Sequence, residues 1–276
     1  MDRLKPLERR ERISAIVRQA SRASVDELAE RLNISRETVR RDLALLSEQG
    51  RIRKVHGGAV ESQTARESPL DDRRAAARPE KTAIAAAAAA LFRPGDSLLI
   101  DAGSTTTLFA EALGKVGSFS VITNSVAVAA ELWGAPHKSD VYVLGGRYAG
   151  DGQEMLGPLT VEQIRTLRAD HAVLTIGGMD EDGNCMDFNA EEAFVARAMI
   201  ASAREVTVVA DSSKLGRHAL FQVCDAGKLD RLVTDRAPSQ LLGEAMRAAD
   251  VEVIVSGADS VADGRLGRRM RPNSQF

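Results

Sequence analysis

The first fifty residues repeat the period of an α-helix three times in succession. Apolar side chains recur three or four positions apart in three segments, residues 7–20, 24–32 and 35–50. Ser24, followed by Glu27 three residues later, has the pattern of a capping box at the start of the second helix. Ser35 is placed to cap the third helix. Three short helices in this order predict a helix-turn-helix domain.

A hairpin pattern follows the third helix. In residues 51–60 the apolar Ile52 and Val55 lie among basic residues, and Gly57 and Gly58 come next. Such a segment predicts a short β-hairpin with a tight turn, which would be the wing of a winged helix-turn-helix. We therefore expect residues 1–60 to fold as one DNA-binding domain.

The rest of the chain predicts an α/β domain behind a linker. Over residues 61–80 apolar periodicity is lost and Ser, Pro, Ala and charged residues predominate, which predicts a linker. Residues 81–257 alternate helical segments with short apolar runs, and seven runs predict buried strands: 97–100, 119–123, 140–146, 171–178, 205–211, 231–235 and 251–256. This alternation predicts a mainly parallel sheet covered on both faces. Residues 258–276 are basic and unpatterned, and we expect a flexible tail.

Charge is unevenly distributed along the 276 residues. Residues 1–60 hold 14 Lys and Arg against 9 Asp and Glu, whereas the remaining residues hold 23 against 30. A basic N-terminal piece on an acidic body favours an anionic partner for that piece alone. The charged N-terminus lacks an apolar signal-peptide core, and Cys185 and Cys224 have no metal-ligand spacing. We therefore expect a cytoplasmic protein with two free, buried thiols.

The start of the third helix carries the first set of candidate DNA-binding residues: Ser35, Arg36, Thr38, Arg40 and Arg41. Arg36 and Arg40 share one helix face, and an arginine can donate two hydrogen bonds to guanine or bind a phosphate. Ser35 and the helix N-terminus favour a phosphate oxygen. Candidates on the wing, which would contact the DNA backbone, are Arg53, Lys54 and His56. The alternatives are a merely solvated arginine face and a packing role for His56.

Polar residues follow the predicted strands at their carboxyl ends, where parallel α/β sheets bind ligands. Eight of them are candidate effector ligands: Asp101, Gly103, Ser104, Thr105, Thr106, Asn124, Asp180 and Lys214. We expect the backbone to turn sharply at Gly103, so that hydroxyls and free N–H groups of the next helix face a phosphate. Lys214 would add positive charge, and Asn124 and Asp180, with Asp101, would bind sugar hydroxyls. Each residue alone is equally compatible with capping or loop closure.

The motifs of both parts resemble one family. The run VDELAERLNISRETVRRDLALLSEQGRIRKVHGGAV resembles the N-terminal signature of the DeoR family of bacterial transcriptional regulators. In the body, DAGSTTT, TNS, GGMDEDG and VVADSSKLG are similar, in this order, to motifs of the family's sensor domain, which shares its fold with ribose-5-phosphate isomerases and coenzyme A transferases. The resemblance implies an operator-binding protein, usually a repressor of carbohydrate genes. It also implies a sugar-phosphate effector, with the phosphate on residues 103–106 and Asn124, Asp180 and Lys214 close by.

The resemblance further implies a homodimer or tetramer, and palindromic operator half-sites need at least a dimer. An activator is one alternative, and a sugar-phosphate isomerase-like enzyme with a DNA-binding domain is another. The isomerases have a glycine-rich, lysine-containing loop before a glutamate base, and residues 177–194 lack that lysine although Asp180 and Glu191 are present. We therefore expect no catalysis. We also expect no metal and no cofactor, since the four histidines are scattered and no nucleotide-binding fingerprint occurs.

Overall fold

The structure, a computed structural model, describes residues 6–20, 22–48, 52–55, 57–61 and 70–257. The helices in this part are α1 (Pro6–Ala20), α2 (Val25–Leu32), α3 (Arg36–Glu48), α4 (Leu70–Ala75), α5 (Arg78–Ala89), α6 (Ser104–Val116), α7 (Val126–Gly134), α8 (Pro158–Arg165), α9 (Ala190–Ser202) and α10 (Gln240–Ala248). The strands are β1 (Arg22–Ser24), β2 (Ile52–Val55), β3 (Gly58–Glu61), β4 (Ser97–Ile100), β5 (Ser120–Thr123), β6 (Asp140–Val143), β7 (Arg147–Ala149), β8 (Glu154–Leu156), β9 (Ala169–Leu174), β10 (Gly178–Met179), β11 (Cys185–Asp187), β12 (Ala203–Val209), β13 (Phe221–Cys224), β14 (Arg231–Thr234) and β15 (Glu252–Val255). Short 3₁₀ helices cover Ser212–Lys214 and Ala226–Lys228.

The N-terminal helices begin and end where the sequence pattern predicts. Glu27 N–H donates to Ser24 Oγ at 3.1 Å, and Ser24 N–H donates to the Glu27 carboxylate at 2.7 Å, which completes the capping box of α2. These hydrogen bonds lower the pKa of Glu27. Asn33, in the left-handed region at φ 51°, ends α2. Ser35 Oγ accepts the Thr38 N–H at 3.1 Å and caps α3.

An ion pair inside this part ties its first helix to its third. Arg9 of α1 donates to both carboxylate oxygens of Asp42 of α3, at 2.6 and 3.1 Å, and Asp42 is buried. This contact raises the pKa of Arg9. The two residues flank an apolar core built from one face of each helix, which includes Ile13, Val17, Leu28, Val39, Leu43 and Leu46. Burying the carboxylate is tolerable only because the arginine satisfies it.

The wing forms as predicted, with one strand more. β2 and β3 pair antiparallel, and β1 adds to the other side of β3 to give the order β1-β3-β2. The three residues of β1 are too few for their strand character to be predicted. Gly58 makes the third strand possible, since a Cβ there would overlap the carbonyl oxygen of Ala23.

The body is a seven-stranded, wholly parallel sheet in the order β15-β14-β12-β9-β4-β5-β6, which confirms the predicted class. Side chains alternate between two cores, as the period of a strand requires. Leu98 and Ile100 of β4 face a core made with α5, α6 and α7, and Leu99 faces a core made with α8, α9 and α10. Two small antiparallel units, β10-β11-β13 and the β7-β8 hairpin, were not predicted.

Residues 70–80 differ from the predicted linker, because α4 and the start of α5 lie there. Leu70 is 1% exposed, and its N–H donates to the Asp151 carbonyl at 3.0 Å. Lys81 is buried, and its Nζ donates to the carbonyls of Arg73 and Ala76 at 2.6 and 2.9 Å. Leu70 is the one apolar side chain that α4 buries, so the sequence shows no apolar period there. Residues 62–69 and the predicted flexible tail, 258–276, lie outside the described residues.

The close approach at Gly58 predicts the effect of adding a methyl group there. Gly58→Ala should force β1 away from β3 and cost roughly 1–3 kcal/mol locally, since the obstacle is backbone. Hydrogen exchange of residues 22–24 and 58–61 should accelerate accordingly. Gly243→Ala in α10, where a Cβ meets nothing within 4 Å, is the matched control and should be neutral or stabilising by up to about 1 kcal/mol. Unchanged exchange in Gly58→Ala would contradict the packing argument.

Candidate functional site

The arginines at the start of α3 are exposed on the surface of the helix. The side chains of Arg36, Arg40 and Arg41 are 66%, 61% and 77% accessible. Arg36 Nε lies 2.6 Å from the Asp26 carboxylate, and Arg41 Nε lies 3.4 Å from that of Glu37. Exposed ion pairs of this kind contribute little free energy. A phosphate or a base edge can therefore displace the acidic partners.

The hydroxyls predicted to bind DNA are partly engaged within the helix terminus. Ser35 Oγ and Thr38 Oγ1 lie 2.8 Å apart, and Ser35 also caps α3. Ser35 is exposed and retains acceptor capacity, so a backbone contact with DNA stays a prediction. Lys54 is exposed on β2, and β2 packs against α3. The side chain of Arg53 and the whole of His56 lie outside the described residues.

The carboxyl ends of the parallel strands bring the predicted effector residues to one edge of the sheet. One or two positions after the end of each of five neighbouring strands lies a polar residue. In the sheet order β14, β12, β9, β4 and β5, these residues are Asp235, Asp211, Thr175, Asp101 and Asn124. Neighbouring strands lie about 4.8 Å apart, so Asp101 sits between Thr175 and Asn124. The segment with Lys214 follows β12, two strands away from Asp101.

Asp101 is a buried carboxyl group with one oxygen engaged. Its Oδ2 accepts the Thr175 N–H at 2.7 Å, and its Oδ1 has no hydrogen-bond partner within 3.5 Å. Burial is the main reason that the pKa of Asp101 lies well above its usual range. The nearby carboxylates of Glu154 and Asp187 raise this pKa further, while the hydrogen bond from Thr175 opposes the shift. Asp101 therefore keeps its proton to a higher pH than an exposed aspartate does.

Glu154 is the site residue that sequence reasoning missed. It begins β8, is 4% exposed, and accepts a hydrogen bond from Asn124 Nδ2 at 3.2 Å. Asn124 Nδ2 also lies 3.1 Å from the Met155 carbonyl, and Asn124 Oδ1 is buried without a partner. No local signal distinguishes Glu154, because the β7-β8 hairpin reaches the edge of the sheet only through the tertiary fold.

Gly103 has a role other than the predicted sharp turn. Its φ of −179° is extended, a conformation open to any residue. A Cβ there would lie 2.8 Å from Oγ1 and Cγ2 of Thr175, so the glycine allows the start of α6 to pack against the end of β9. The Thr106 and Thr107 hydroxyls donate to the Gly103 carbonyl at 3.3 and 2.7 Å. Ser104 and Thr105 are buried in the same first turn of α6.

Asp180 holds a turn together, whereas the charge of Asp187 raises the pKa of Asp101. Asp180 Oδ1 accepts the N–H groups of Asp182 and Asn184 at 3.1 and 2.8 Å, and its Oδ2 accepts Asn184 Nδ2 at 2.9 Å. These bonds hold the turn between β10 and β11. A sugar-binding role for Asp180 stays a prediction that this geometry does not favour.

Two lysines belong to the β12 side of this edge. Lys214 ends the 3₁₀ helix Ser212–Lys214, which Asp211 caps by accepting the Ser213 N–H at 3.1 Å. The Nζ of the buried Lys81 lies 3.9 Å from Asp211 Oδ2. Lys81 was not singled out by the sequence because it lies in an alanine-rich helix. Lys81 and Asp211 thus form a buried pair on the β12 side of Asp101, and Glu154 and Asn124 lie on the β5 side.

Glu191 and the possible metal ligands among the described residues bear on two other kinds of chemistry, catalysis and metal binding. Glu191, the position of a possible catalytic base, pairs with Arg147 at the start of α9. Within the described ranges no three His, Cys, Asp or Glu side chains are arranged to hold a metal ion. In the same part of the chain, no helix has the length and apolar character needed to cross a membrane.

A winged helix-turn-helix ahead of a parallel α/β domain defines a DNA-binding regulator with a ligand-sensing part. A family model of the DeoR-like helix-turn-helix domain matches residues 9–65, and one of the DeoR C terminal sensor domain matches residues 76–236. The chain belongs to the DeoR family of transcriptional regulators.

Relatives match nearly the whole chain. The HTH-type transcriptional repressor CsqR of Escherichia coli (strain K12) is 32% identical over 91% of this chain and 96% of its own. The glycerol-3-phosphate regulon repressor of the same strain is 33% identical over 85% and 93%. The HTH-type transcriptional repressor GlcR of Bacillus subtilis (strain 168) is 31% identical over 92% and 98%. Ribose 5-phosphate isomerase A of Methanocaldococcus jannaschii aligns with 49% of this chain and 53% of its own, at 16% identity and a TM-score of 0.36.

The raised pKa of Asp101 predicts a pH-dependent stability. Between the ordinary carboxyl pKa and the raised folded value, the folded state holds a proton that the unfolded state has lost. Stability should therefore fall as pH rises through this window, by about 1.4 kcal/mol per pH unit from this group. Asp101→Asn keeps the acceptor for Thr175 and removes the titration. Denaturant unfolding at pH 5 and pH 7 should show a smaller loss of stability in Asp101→Asn than in the wild type, and parallel losses would contradict the assignment.

Proposed function

We propose that this protein represses a carbohydrate-utilisation operon and releases its operator when a phosphorylated sugar binds at the carboxyl edge of the parallel sheet. The observation that carries the proposal is the polarity of this edge around Asp101. The N-terminus of α6 and Lys214 after β12 favour an anion, and Asn124 with Glu154 at the end of β5 supplies buried acceptors. A sugar phosphate has the matching polarity, since one end is anionic and the other donates hydrogen bonds.

The acceptor end favours hydroxyl groups. Asn124 Oδ1 is buried without a partner, and such an acceptor is costly unless a donor satisfies it. Asp101 Oδ1 has no partner within 3.5 Å and offers a ligand hydroxyl a further contact. Glu154 adds a carboxylate beside them, so an anion would be repelled there. A ligand with hydroxyls at this end would satisfy the acceptors and remove the cost.

The phosphate end belongs nearer to β12. Ser104 and Thr105 offer hydroxyls at the N-terminal turn of α6, whose free N–H groups and dipole favour an anion. Lys214 and Lys81 bring positive charge from the neighbouring strand end. The phosphate therefore avoids the acidic cluster of Asp101, Glu154 and Asp187.

A sensing role is better supported than catalysis. An isomerase needs a free base near the substrate and a cation for the developing oxyanion. Here Glu191 is paired with Arg147, and Asp180 is used in its own turn. The relatives named above are repressors. A protein that binds chromosomal operators acts in the cytoplasm, in keeping with the expected location.

The deciding experiment is fluorescence anisotropy of labelled DNA from upstream of this gene and its neighbours. The protein should bind one fragment specifically and should be released by one sugar phosphate, and the unphosphorylated parent sugar should have no effect. Specific binding untouched by the whole panel would remove the effector proposal and leave the DNA function. Turnover of a pentose phosphate would instead support the isomerase alternative.

The proposed phosphate contact predicts a separation of the two activities. Lys214→Ala should bind operator DNA normally but need at least tenfold more effector for release, since a charge-assisted contact contributes about 1.5–3 kcal/mol. Lys228→Ala is the matched control, because Lys228 ends the other 3₁₀ helix, Ala226–Lys228, and is exposed. Its release curve should overlay that of the wild type. Normal release from Lys214→Ala would exclude the contact.

The proposed reading helix predicts a specificity defect. Arg40→Ala should weaken operator binding by roughly 1–3 kcal/mol and random-sequence binding by less. Arg12→Ala, an exposed arginine on α1, should change neither by more than about 0.5 kcal/mol. Equal losses on both DNAs would make Arg40 a phosphate contact, and no loss would remove it from the interface.

We infer that a second copy of the chain packs on the β6 edge of the sheet, because paired operator half-sites need two heads. The single Trp and both Tyr of the chain are exposed there, with Trp133 77%, Tyr142 62% and Tyr148 53% accessible. Trp and Tyr are enriched in interface cores. The exposed charges around them cancel, so two copies do not repel each other: Glu131, Asp140, Lys138 and Arg147.

The proposed contact surface predicts that a single substitution will reduce the size of the oligomer. Tyr142→Arg should convert the wild-type dimer or tetramer to a smaller species in sedimentation velocity, because it buries an unpaired charge in the contact. Leu241→Arg, a 58% exposed leucine on α10 at the opposite end of the sheet, is the matched control. A monomeric wild type, or a Tyr142→Arg protein of unchanged mass, would refute the surface.

A further inference from the structure

The fold brings the two cysteines of the chain face to face. Cys185 in β11 and Cys224 in β13 are directly opposite each other across an antiparallel pair, although 38 residues separate them in sequence. They are 0% and 9% exposed, and both are free thiols. Opposed residues in antiparallel strands have Cα atoms about 4.5–5.5 Å apart, which lies within the range that a disulfide spans.

One of the two cysteines borders a cavity that opens to the surface. Cys224 lines a cavity of about 600 Å³ beside α9, whereas Cys185 does not line it. Arg197, Arg204 and Lys228 also line this cavity, together with Asp225 and Asp230. Cys224 is therefore the cysteine closer to a reagent that enters this cavity.

We propose that Cys185 and Cys224 form a reversible disulfide when a peroxide enters this cavity. The peroxide oxidises the Cys224 thiol to a sulfenic acid and leaves as one water molecule. The Cys185 sulfur then attacks the Cys224 sulfur, its proton leaves with the departing hydroxyl as a second water molecule, and the S–S bond forms. A dithiol reductant reverses the reaction by exchange.

The two cysteines act in this order because their surroundings differ. The contact with Cys224 and its own burial raise the pKa of Cys185, so Cys185 stays protonated and inert until its neighbour is oxidised. Because Cys185 lies directly opposite Cys224 in the paired strand, it is the thiol that attacks the sulfenic acid. Formation should accordingly be slower than at a solvent-exposed cysteine.

The disulfide would act on the proposed effector site through β11. The register of β11 against β13 is irregular between Cys185 and Met186, so a link at Cys185 would act at a break in the regular strand pairing. Two residues further, the Asp187 carboxylate accepts the N–H groups of Phe188 and Asn189 at 2.6 and 3.2 Å. Asp187 also raises the pKa of Asp101, which places its charge near the acceptor end. This coupling rests on the proposed function, whereas the disulfide itself does not.

The test uses the full-length protein treated with hydrogen peroxide and then denatured for thiol titration and mass spectrometry. Both thiols should become unavailable, the intact mass should fall by about 2 Da, and a peptide joining Cys185 to Cys224 should appear. Dithiothreitol should restore two titratable thiols. In Cys224→Ser, Cys185 should stay reduced, because the remaining thiol is shielded.

Three results would overturn the disulfide. They are two thiols that stay titratable, a gain of oxygen on each cysteine without a link, and a link between different copies on a non-reducing gel. The coupling is tested by hydrogen exchange of residues 185–190, which should slow on peroxide treatment of the wild type and not of Cys224→Ser. Unchanged exchange in an oxidised wild type would refute the coupling. Neither the mass analysis nor the hydrogen exchange needs a known effector. If the proposed function is wrong, both measurements still decide whether the disulfide forms and whether it affects β11.

Discussion

The constraint on which the body depends is the parallel direction of its seven strands. Parallel strands must be covered on both faces, and this protein meets that need with two apolar cores fed by alternate residues of each strand. The same direction sends every carboxyl end to one edge, whatever the sequence distance between the strands. Asp101, Thr175 and Asn124 therefore meet although up to 74 positions separate them. The buried carboxyl of Asp101 is held by the Thr175 N–H and is left with an acceptor that a ligand can satisfy.

The N-terminal part solves a different problem, which is to stay folded while presenting arginines to a partner. Its core is small, and the buried pair of Arg9 with Asp42 adds a specific link between α1 and α3. The arginines of α3 point the other way and have only exposed acidic partners. Buried pairing fixes the helices, and exposed pairing leaves the reading surface available.

The two small antiparallel units bring acidic side chains to the carboxyl edge of the parallel sheet. The β7-β8 hairpin brings Glu154 over the end of β5, and β11 brings Asp187 towards Asp101. In the proposed function these acids favour hydroxyl donors at this part of the edge. Because both units lie in connections between strands of the main sheet, they can differ among relatives while the sheet is kept. The proposed effector contacts of Glu154 and the opposed cysteines therefore lie in parts that the sheet itself does not dictate.

Local patterns determined much of this protein from the sequence alone. The capping box of Ser24 and Glu27, the cap at Ser35, and the seven apolar runs depend on residues near each other in the chain, so their period and chemistry could be interpreted directly. Tertiary structure decided the rest. Glu154, Lys81 and the opposed cysteines carry no local signal, because each acquires its neighbours only when distant segments pack together. Gly103 shows the same limit: its sequence suggested a turn, but the reason for glycine is the Thr175 side chain on another strand.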